Sequence, residues 1–111
     1  MGNRAVIVSH DTTAENKDAK IGIYVHWDGS PDDIENALAD AKGQSVRGID
    51  DDPQYFWARF CQVFANRIGG QETGIGIGIV SHLDCHNDDN GVYYIDNNFE
   101  IVNHTDGSEL E

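Results

Sequence analysis

The sequence predicts a single α+β domain with a mainly antiparallel sheet of about five strands. Short β-rich runs lie towards both ends of the chain, and two segments with helical spacing of apolar residues lie between them. The predicted order is therefore β-β-α-α-β-β-β, with both helices packed on one face of the sheet. A chain of 111 residues has room for one hydrophobic core. We place the domain at residues 1–104 and expect residues 105–111 to form a flexible tail.

The strands are predicted from runs of β-branched and aliphatic residues between polar segments. Residues 5–8 and 21–27 form two such runs around the polar residues 11–20, which predicts an antiparallel hairpin with a long loop. Near the other end of the chain, residues 91–95 and 99–102 flank the sequence Asp-Asn-Asn. This is a favourable hairpin turn, because Asn and Asp tolerate positive φ.

Both helices are predicted to begin at a polar residue followed by proline. Ser30 precedes the first helix and Asp52 the second, and each side chain can accept a hydrogen bond from the free N–H groups of the first turn. Apolar residues then recur at helical spacing over residues 34–41 and 56–68. Gly43 is predicted to end the first helix.

The second helix carries apolar residues around more than half of its circumference, which makes it the predicted central helix. We expect the sheet and the first helix to cover this broad surface. In the alternative, an edge formed by Phe56 and Trp57 stays exposed and makes a homodimer interface.

Residues 75–80 alternate isoleucine with glycine, which predicts a strand with one aliphatic face and one bare face. Rings such as Trp27, Tyr93 or Tyr94 have room to lie across the glycines. If no ring fills it, the bare face is a shallow groove or a surface for another chain. The glycines also resemble a phosphate-binding loop, but polar loop and strand sequence follows where such a loop needs a helix, so no cofactor is predicted.

The charge of the chain is strongly negative, with 20 acidic and 7 basic residues and a formal net charge of -13. After Arg67 there is no Lys or Arg, whereas nine carboxylates follow. Such a charge repels phosphate backbones, so we predict no direct binding of nucleic acid. It favours either solubility alone, or an acidic surface that binds a basic partner or imitates nucleic acid.

The cellular location is predicted from the apolar runs and the cysteines. The apolar runs are too short for a secretory signal or a membrane span, so no membrane association is expected. Cys61 and Cys85 can form at most one disulfide, which does not make a disulfide framework. We therefore expect free thiols and a cytoplasmic protein.

The first candidate site is His26, Trp27 and Asp28, where a β-rich run turns into a helix. The structural interpretation is that Trp27 caps the core, His26 bonds a turn and Asp28 assists the helix start. The functional interpretation is a ligand or partner site, since an Asp beside a His can fix its tautomer and raise its pKa. No nucleophile lies at a fixed spacing that would complete a catalytic site.

The second candidate site is the polar segment 82–91. His82, Asp84 and His86 are the candidate metal ligands, because imidazole and carboxylate groups bind zinc. Their spacing matches no closed zinc site, and a calcium loop would need a Glu where Ile95 falls. A polar surface loop is the simpler interpretation.

Four segments, residues 1–7, 23–29, 55–62 and 89–95, carry a resemblance that spans nearly the whole chain. They read MGNRAVI, IYVHWDG, YFWARFCQ and DNGVYYI. Together they resemble a group of small uncharacterised proteins of bacteria and of their phages or mobile elements. The resemblance implies such an origin and an accessory role, and it carries no catalytic residue with it. Members often have Asn where this chain has Asp28.

We therefore predict a non-catalytic accessory module that binds another protein, with Trp27 and residues 84–91 as its contacts. In a specific form of this hypothesis, a phage or mobile element encodes it and it occupies a host protein that binds nucleic acid. The alternative is a small hydrolase or metal-assisted enzyme that uses His26, Asp28 and residues 82–86. A third possibility is a purely structural homo-oligomer.

Overall fold

The computed structural model describes residues 2–67 and 74–111 and has the predicted order of elements. The α+β class, the two helices and the five strands are thereby confirmed. Ile68, which the sequence places in the second helix, lies outside the described residues. In chain order the elements are β1 Ala5–Ser9, β2 Ile21–Val25, α1 Pro31–Gly43, α2 Pro53–Arg67, β3 Ile75–Ile79, β4 Val92–Ile95 and β5 Ile101–Thr105.

The strands form one sheet in the order β3-β2-β1-β4-β5. Three of the four pairings are antiparallel, and they include the predicted hairpins of β1 with β2 and of β4 with β5. The pairing of β1 with β4 is parallel. It arises because the chain leaves β3 at one edge of the sheet and crosses to the far side of β1 before it forms β4.

Both helices lie on the same face of the sheet, as predicted. Their buried side chains form one cluster with Ala5, Ile7, Ile23 and other strand residues of that face. Phe56 is 1% exposed and Trp57 is 6% exposed. The sheet and α1 therefore cover the broad apolar surface of α2, and the alternative of an exposed Phe56 and Trp57 edge is wrong.

The opposite face of the sheet has a cover of its own, formed by residues 80–91 and the C-terminal residues. Val80, Cys85 and Leu110 are buried there against β-strand side chains such as Val6 and Val8. Leu110 is 3% exposed and belongs to the short 3-10 helix Ser108–Leu110, while Thr105 belongs to β5. We expect residues 105–111 to form a flexible tail, whereas in the structure Leu110 of this mostly polar segment supplies part of the apolar cover.

The helices begin as the sequence predicts. The Ser30 hydroxyl accepts a hydrogen bond from the Asp33 N–H at 3.4 Å, and the Asp52 carboxylate accepts one from the Tyr55 N–H at 3.3 Å. Each bond satisfies a backbone donor that a helix leaves free in its first turn. Among the helices of the described chain, none combines the length and the apolar character needed to cross a membrane.

Gly91 is the glycine on which the turn into β4 depends. Its φ is +70°, and a Cβ atom there would lie 2.0 Å from the Thr105 carbonyl oxygen. We predict that Gly91→Ala lowers the free energy of unfolding by at least about 2 kcal/mol, because strain and a backbone clash add together. Gly43→Ala is the matched control: nothing lies within 4 Å of that added Cβ atom.

Gly43→Ala should leave stability unchanged or raise it by up to about 1 kcal/mol, since alanine favours the helix. Urea denaturation of both variants measures the difference. Equal stabilities would contradict the turn geometry described for Gly91.

Candidate functional site

A cleft of about 660 Å³ opens on the helical face of the sheet, between strands β2 and β3 and the start of α2. Its walls are mainly apolar and include Trp57, Ile77 and Ile21, and polar groups gather at one end. Pockets of this kind, apolar with a few convergent polar groups, are the usual binding sites of proteins. We call it the edge cleft, lined by Ser9, Asp11, Ala19, Lys20, Ile21, Ile49, Asp50, Pro53, Gln54, Trp57, Ala58 and Ile77.

Three isoleucines of β2 and β3 are unusually exposed. Ile21 is 45% exposed, Ile77 50% and Ile79 39%. Ile75 packs against the helical core, but Ile77 lies beside the start of α2, where the helix leaves the sheet uncovered. Since Ile21 is the cross-strand partner of Ile79, these exposed side chains form one continuous aliphatic surface.

The polar end of the edge cleft is built from the last residue of β1 and the segment that follows it. The Ser9 hydroxyl donates a short hydrogen bond to the Asp11 carboxylate, and Lys20 Nζ lies 2.9 Å from the same carboxylate. The Ser9 hydrogen bond first, and Lys20 second, hold the pKa of Asp11 below its ordinary value. Asp11 is therefore ionised throughout the neutral range.

A second carboxylate at this end belongs to Asp50, whose oxygen lies 3.0 Å from His10 Nε2. Asp51 and Asp52 follow it directly, so three consecutive aspartates precede α2. Of the charged residues that line the cleft, Asp11 and Asp50 carry two negative charges against the one positive charge of Lys20. The charge at the polar end of the cleft is negative, which matches the sign of the whole chain.

The three candidate residues His26, Trp27 and Asp28 directly follow Val25, the last residue of β2, at the end of the strand away from Ile21. Trp27 is 40% exposed and sets its ring edge-on against His26, so the interpretation that Trp27 caps the core is wrong. The His26 Nδ1 atom lies 2.9 Å from the Tyr24 hydroxyl. Within residues 2–67 and 74–111, no hydrogen bond joins His26 to Asp28, whose φ of 59° turns the chain away.

The glycine face of β3 is only partly covered. A Cβ atom at Gly74 would lie 3.0 Å from the Trp27 ring, as predicted for that residue. A Cβ at Gly76 would meet only the Tyr24 Cβ at 4.0 Å, and nothing lies within 4 Å at Gly78. Tyr93 and Tyr94 do not reach these glycines, because they belong to β4, which β1 and β2 separate from β3.

The segment 82–91 is held by one buried amide, the Asn87 side chain, which is 2% exposed. Its nitrogen donates to the Asp84 carbonyl oxygen at 3.0 Å, and its oxygen accepts from the Gly91 N–H at 3.0 Å. Asp84 itself lies 3.8 Å from Arg4, whose nearer partner is Asp89 at 2.8 Å. This network ties the loop to the start of β1.

The predicted metal ligands do not assemble into a site. In the part of the chain that the structure describes, no three His, Cys, Asp or Glu side chains are arranged to hold a metal ion, and this includes His82, Asp84 and His86. His86 instead lies 4.0 Å from Asp88 and 3.8 Å from Glu111. Cys85 is buried, which raises the pKa of its thiol to about 11 and keeps it protonated at neutral pH.

Sequence reasoning missed the edge cleft, because its walls come from segments far apart in the chain. Ser9 ends β1 and Asp11 follows it, Trp57 belongs to α2, and Ile77 belongs to β3. The only local signal was the tripeptide Ser-His-Asp at the end of a buried strand. The exposed isoleucines become recognisable only once β3 is placed at the edge of the sheet.

Comparison with protein-family models, with curated proteins and with solved structures found no match to this chain. The resemblance to small bacterial and phage proteins stays an expectation. What the edge cleft does is therefore argued from its own geometry and charge.

We predict that Ser9→Ala raises the pKa of Asp11 towards its ordinary value, because the largest cause of the lowered pKa is removed. A carboxyl group with a lowered native pKa stabilises the fold above its unfolded pKa, and this stabilisation is lost as the pH falls through the native pKa. The variant should therefore lose less stability on acidification. NMR titration of the Asp11 carboxyl carbon measures the pKa, with Thr13→Ala as a control of similar size. An unchanged pKa in Ser9→Ala would contradict the described contact.

Proposed function

We propose that the protein is a non-catalytic acidic module that binds a basic segment of another protein in the edge cleft. The observation that carries this proposal is the combination of exposed isoleucines with carboxylates at one end of the same cleft. Apolar surface and negative charge together fit a partner segment that carries both aliphatic and basic side chains.

The free energies of apolar burial and of charge attraction contribute differently to binding. Burial of an exposed isoleucine side chain contributes about 1.5–3 kcal/mol. Because Ile21, Ile77 and Ile79 are 39–50% exposed, their burial adds about 2–4 kcal/mol together. A micromolar complex needs about 8 kcal/mol, so the isoleucines alone do not hold a partner.

Charge supplies a second contribution, mainly to the rate of association and to the choice of partner. A net charge of -13 attracts basic proteins over distances of about a Debye length, which is roughly 8 Å at physiological salt. Binding should therefore weaken as salt is raised. In the specific form of this proposal, a phage or mobile element encodes the module, which occupies a cytoplasmic host protein at its site for nucleic acid.

The proposal is tested with a capped seven-residue peptide of alternating lysine and valine, by fluorescence anisotropy over a salt series. We expect the double variant Asp11→Asn, Asp50→Asn to weaken binding about 2–30-fold, because each carboxylate contributes about 0.2–1 kcal/mol at such a site. The matched control is Glu35→Gln, Asp88→Asn, which removes the same charge from exposed positions outside the cleft.

The control variant Glu35→Gln, Asp88→Asn should change the affinity less than about 2-fold, because salt screens surface charges that lie far from the bound peptide. Binding that does not respond to salt would contradict the proposal. An equal loss in both double variants would show attraction by net charge without a site at the cleft.

A further inference from the structure

We infer that the partner segment binds as a sixth strand, added to the outer edge of β3 and running beside the edge cleft. This inference rests on the proposed function and names its binding mode. It is carried by the unpaired edge of β3, by the aliphatic and glycine faces of that strand, and by the charge around them.

The hydrogen bonds at the two ends of β3 show which backbone groups face outward. The His26 N–H donates to the Gly74 carbonyl oxygen at 2.6 Å, and the Val80 N–H donates to the Lys20 carbonyl oxygen at 2.9 Å. In an antiparallel ladder, hydrogen-bonded and non-bonded pairs alternate. In the register of β2 with β3, Gly76 and Gly78 therefore bond to β2.

Ile75, Ile77 and Ile79 consequently direct their N–H and C=O groups away from β2. Among the strands of residues 2–67 and 74–111, none pairs with this side of β3, which is the first strand of the sheet order. The outer edge thus offers three donors and three acceptors at regular spacing. An extended segment of five residues is enough to pair with all of them.

Within the residues that the structure describes, the edge of β3 has none of the features that normally block strand addition. Proteins protect edge strands with charged residues, proline, bulges or a covering loop. The sequence of β3 is Ile-Gly-Ile-Gly-Ile, and its pairing with β2 is regular over all five residue pairs. The opposite edge strand, β5, differs: its sequence contains Asn and His, and its pairing with β4 is irregular near Tyr94 and Ile95.

The side chains of β3 define what an added strand presents on each face. Residues paired with Ile77 and Ile79 point to the helical face, where aliphatic side chains cover the exposed isoleucines and enter the edge cleft. The residues between them point to the glycine face, which is open at Gly76 and Gly78. That face has room for long or bulky side chains.

Charge distinguishes a partner segment from a second copy of this chain. Two copies paired through β3 would each bring a net charge of -13 to the contact. A basic segment is instead attracted by this net charge. Its Lys or Arg residues between the aliphatic ones point to the glycine face, and those beyond the paired residues are free to turn to Asp11 and Asp50 at the polar end of the cleft. The occupant we infer is therefore an extended segment of another protein, with aliphatic residues at alternate positions and Lys or Arg between or beside them.

The experiment uses the capped peptide of four lysines and three valines, with two N-methylated forms. With the segment antiparallel to β3 and the valines on the cleft side, the valines lie opposite the isoleucines, so the valine amides face β3 and the lysine amides face solvent. Methylation of the three valine amides removes the donors and should weaken binding at least about 30-fold. Methylation of three lysine amides keeps the same charge and side chains and should weaken it less than about 3-fold.

Equal affinity of the two methylated peptides would overturn strand addition. Suppose that the two methylated peptides bind equally, and that their affinity still falls as salt is raised and in the double variant Asp11→Asn, Asp50→Asn. The proposed acidic module then stands, and only strand addition as its binding mode fails. If the unmethylated peptide does not bind at all, both proposals fall.

A protein variant gives an independent test. Ile77→Lys puts a charge on the aliphatic face of β3, and Val102→Lys makes the same change on β5, at side chains that are 50% and 53% exposed. We expect Ile77→Lys to weaken binding of the unmethylated peptide at least about 10-fold, and Val102→Lys less than about 3-fold. Circular dichroism verifies that both variants fold, and equal effects of the two variants would overturn the inference.

Sedimentation velocity of the unmodified protein, alone and with the peptide, tests the occupant. A monomer that becomes a one-to-one complex supports a partner strand. A dimer that Ile77→Lys dissociates would overturn the inference in favour of a second copy.

Discussion

Burial of β1 on both faces is the constraint on which the rest of the structure depends. All five residues of Ala5–Ser9 are buried, so the sheet needs two separate covers. The helices supply one, and the crossing residues 80–91 with Leu110 supply the other. The crossing also explains the parallel pairing of β1 with β4, because the chain must pass over the second face to reach the far side of β1.

The two covers are centred on β1, and this leaves β3 outermost and only partly covered. Its first isoleucine reaches the core, whereas Ile77 and Ile79 lie beside the open edge cleft. The same asymmetry leaves the glycine face open towards the end of the strand. Burial of the centre and exposure of one edge are therefore two consequences of one arrangement, and the proposed function uses the exposed edge.

Local signals predicted most of the elements of this fold. Ser30 and Asp52 fix the helix starts because capping depends only on neighbouring residues. The hairpin turn also forms where predicted, but for another reason: the Asp96 carboxylate accepts hydrogen bonds from the Asn98 and Glu100 N–H groups, and the positive φ, 64°, falls on Phe99 and not on Asp or Asn. The parallel pair could not be predicted, since it depends on which face the loop crosses. That loop reads as polar, yet Val80 and Cys85 within it are buried.

The candidate site was less predictable than the fold. His26, Trp27 and Asp28 form a candidate site because functional residue types lie together in the sequence, but no hydrogen bond joins His26 to Asp28 in the described residues, and Asp28 has a positive φ of 59°. The edge cleft instead brings together Ser9 and Ile77, which lie 68 positions apart in the sequence. Such a contact depends on strand order, which no local pattern encodes.

Amide hydrogen exchange of the free protein, measured residue by residue by NMR, tests the central claim that the outer edge of β3 is unpaired. The account predicts an alternation in which the amides of Gly76 and Gly78 are protected by β2, while those of Ile77 and Ile79 exchange rapidly. Slow exchange at Ile77 and Ile79, equal to that of the glycines between and beside them, would contradict it. The edge would then already have a partner.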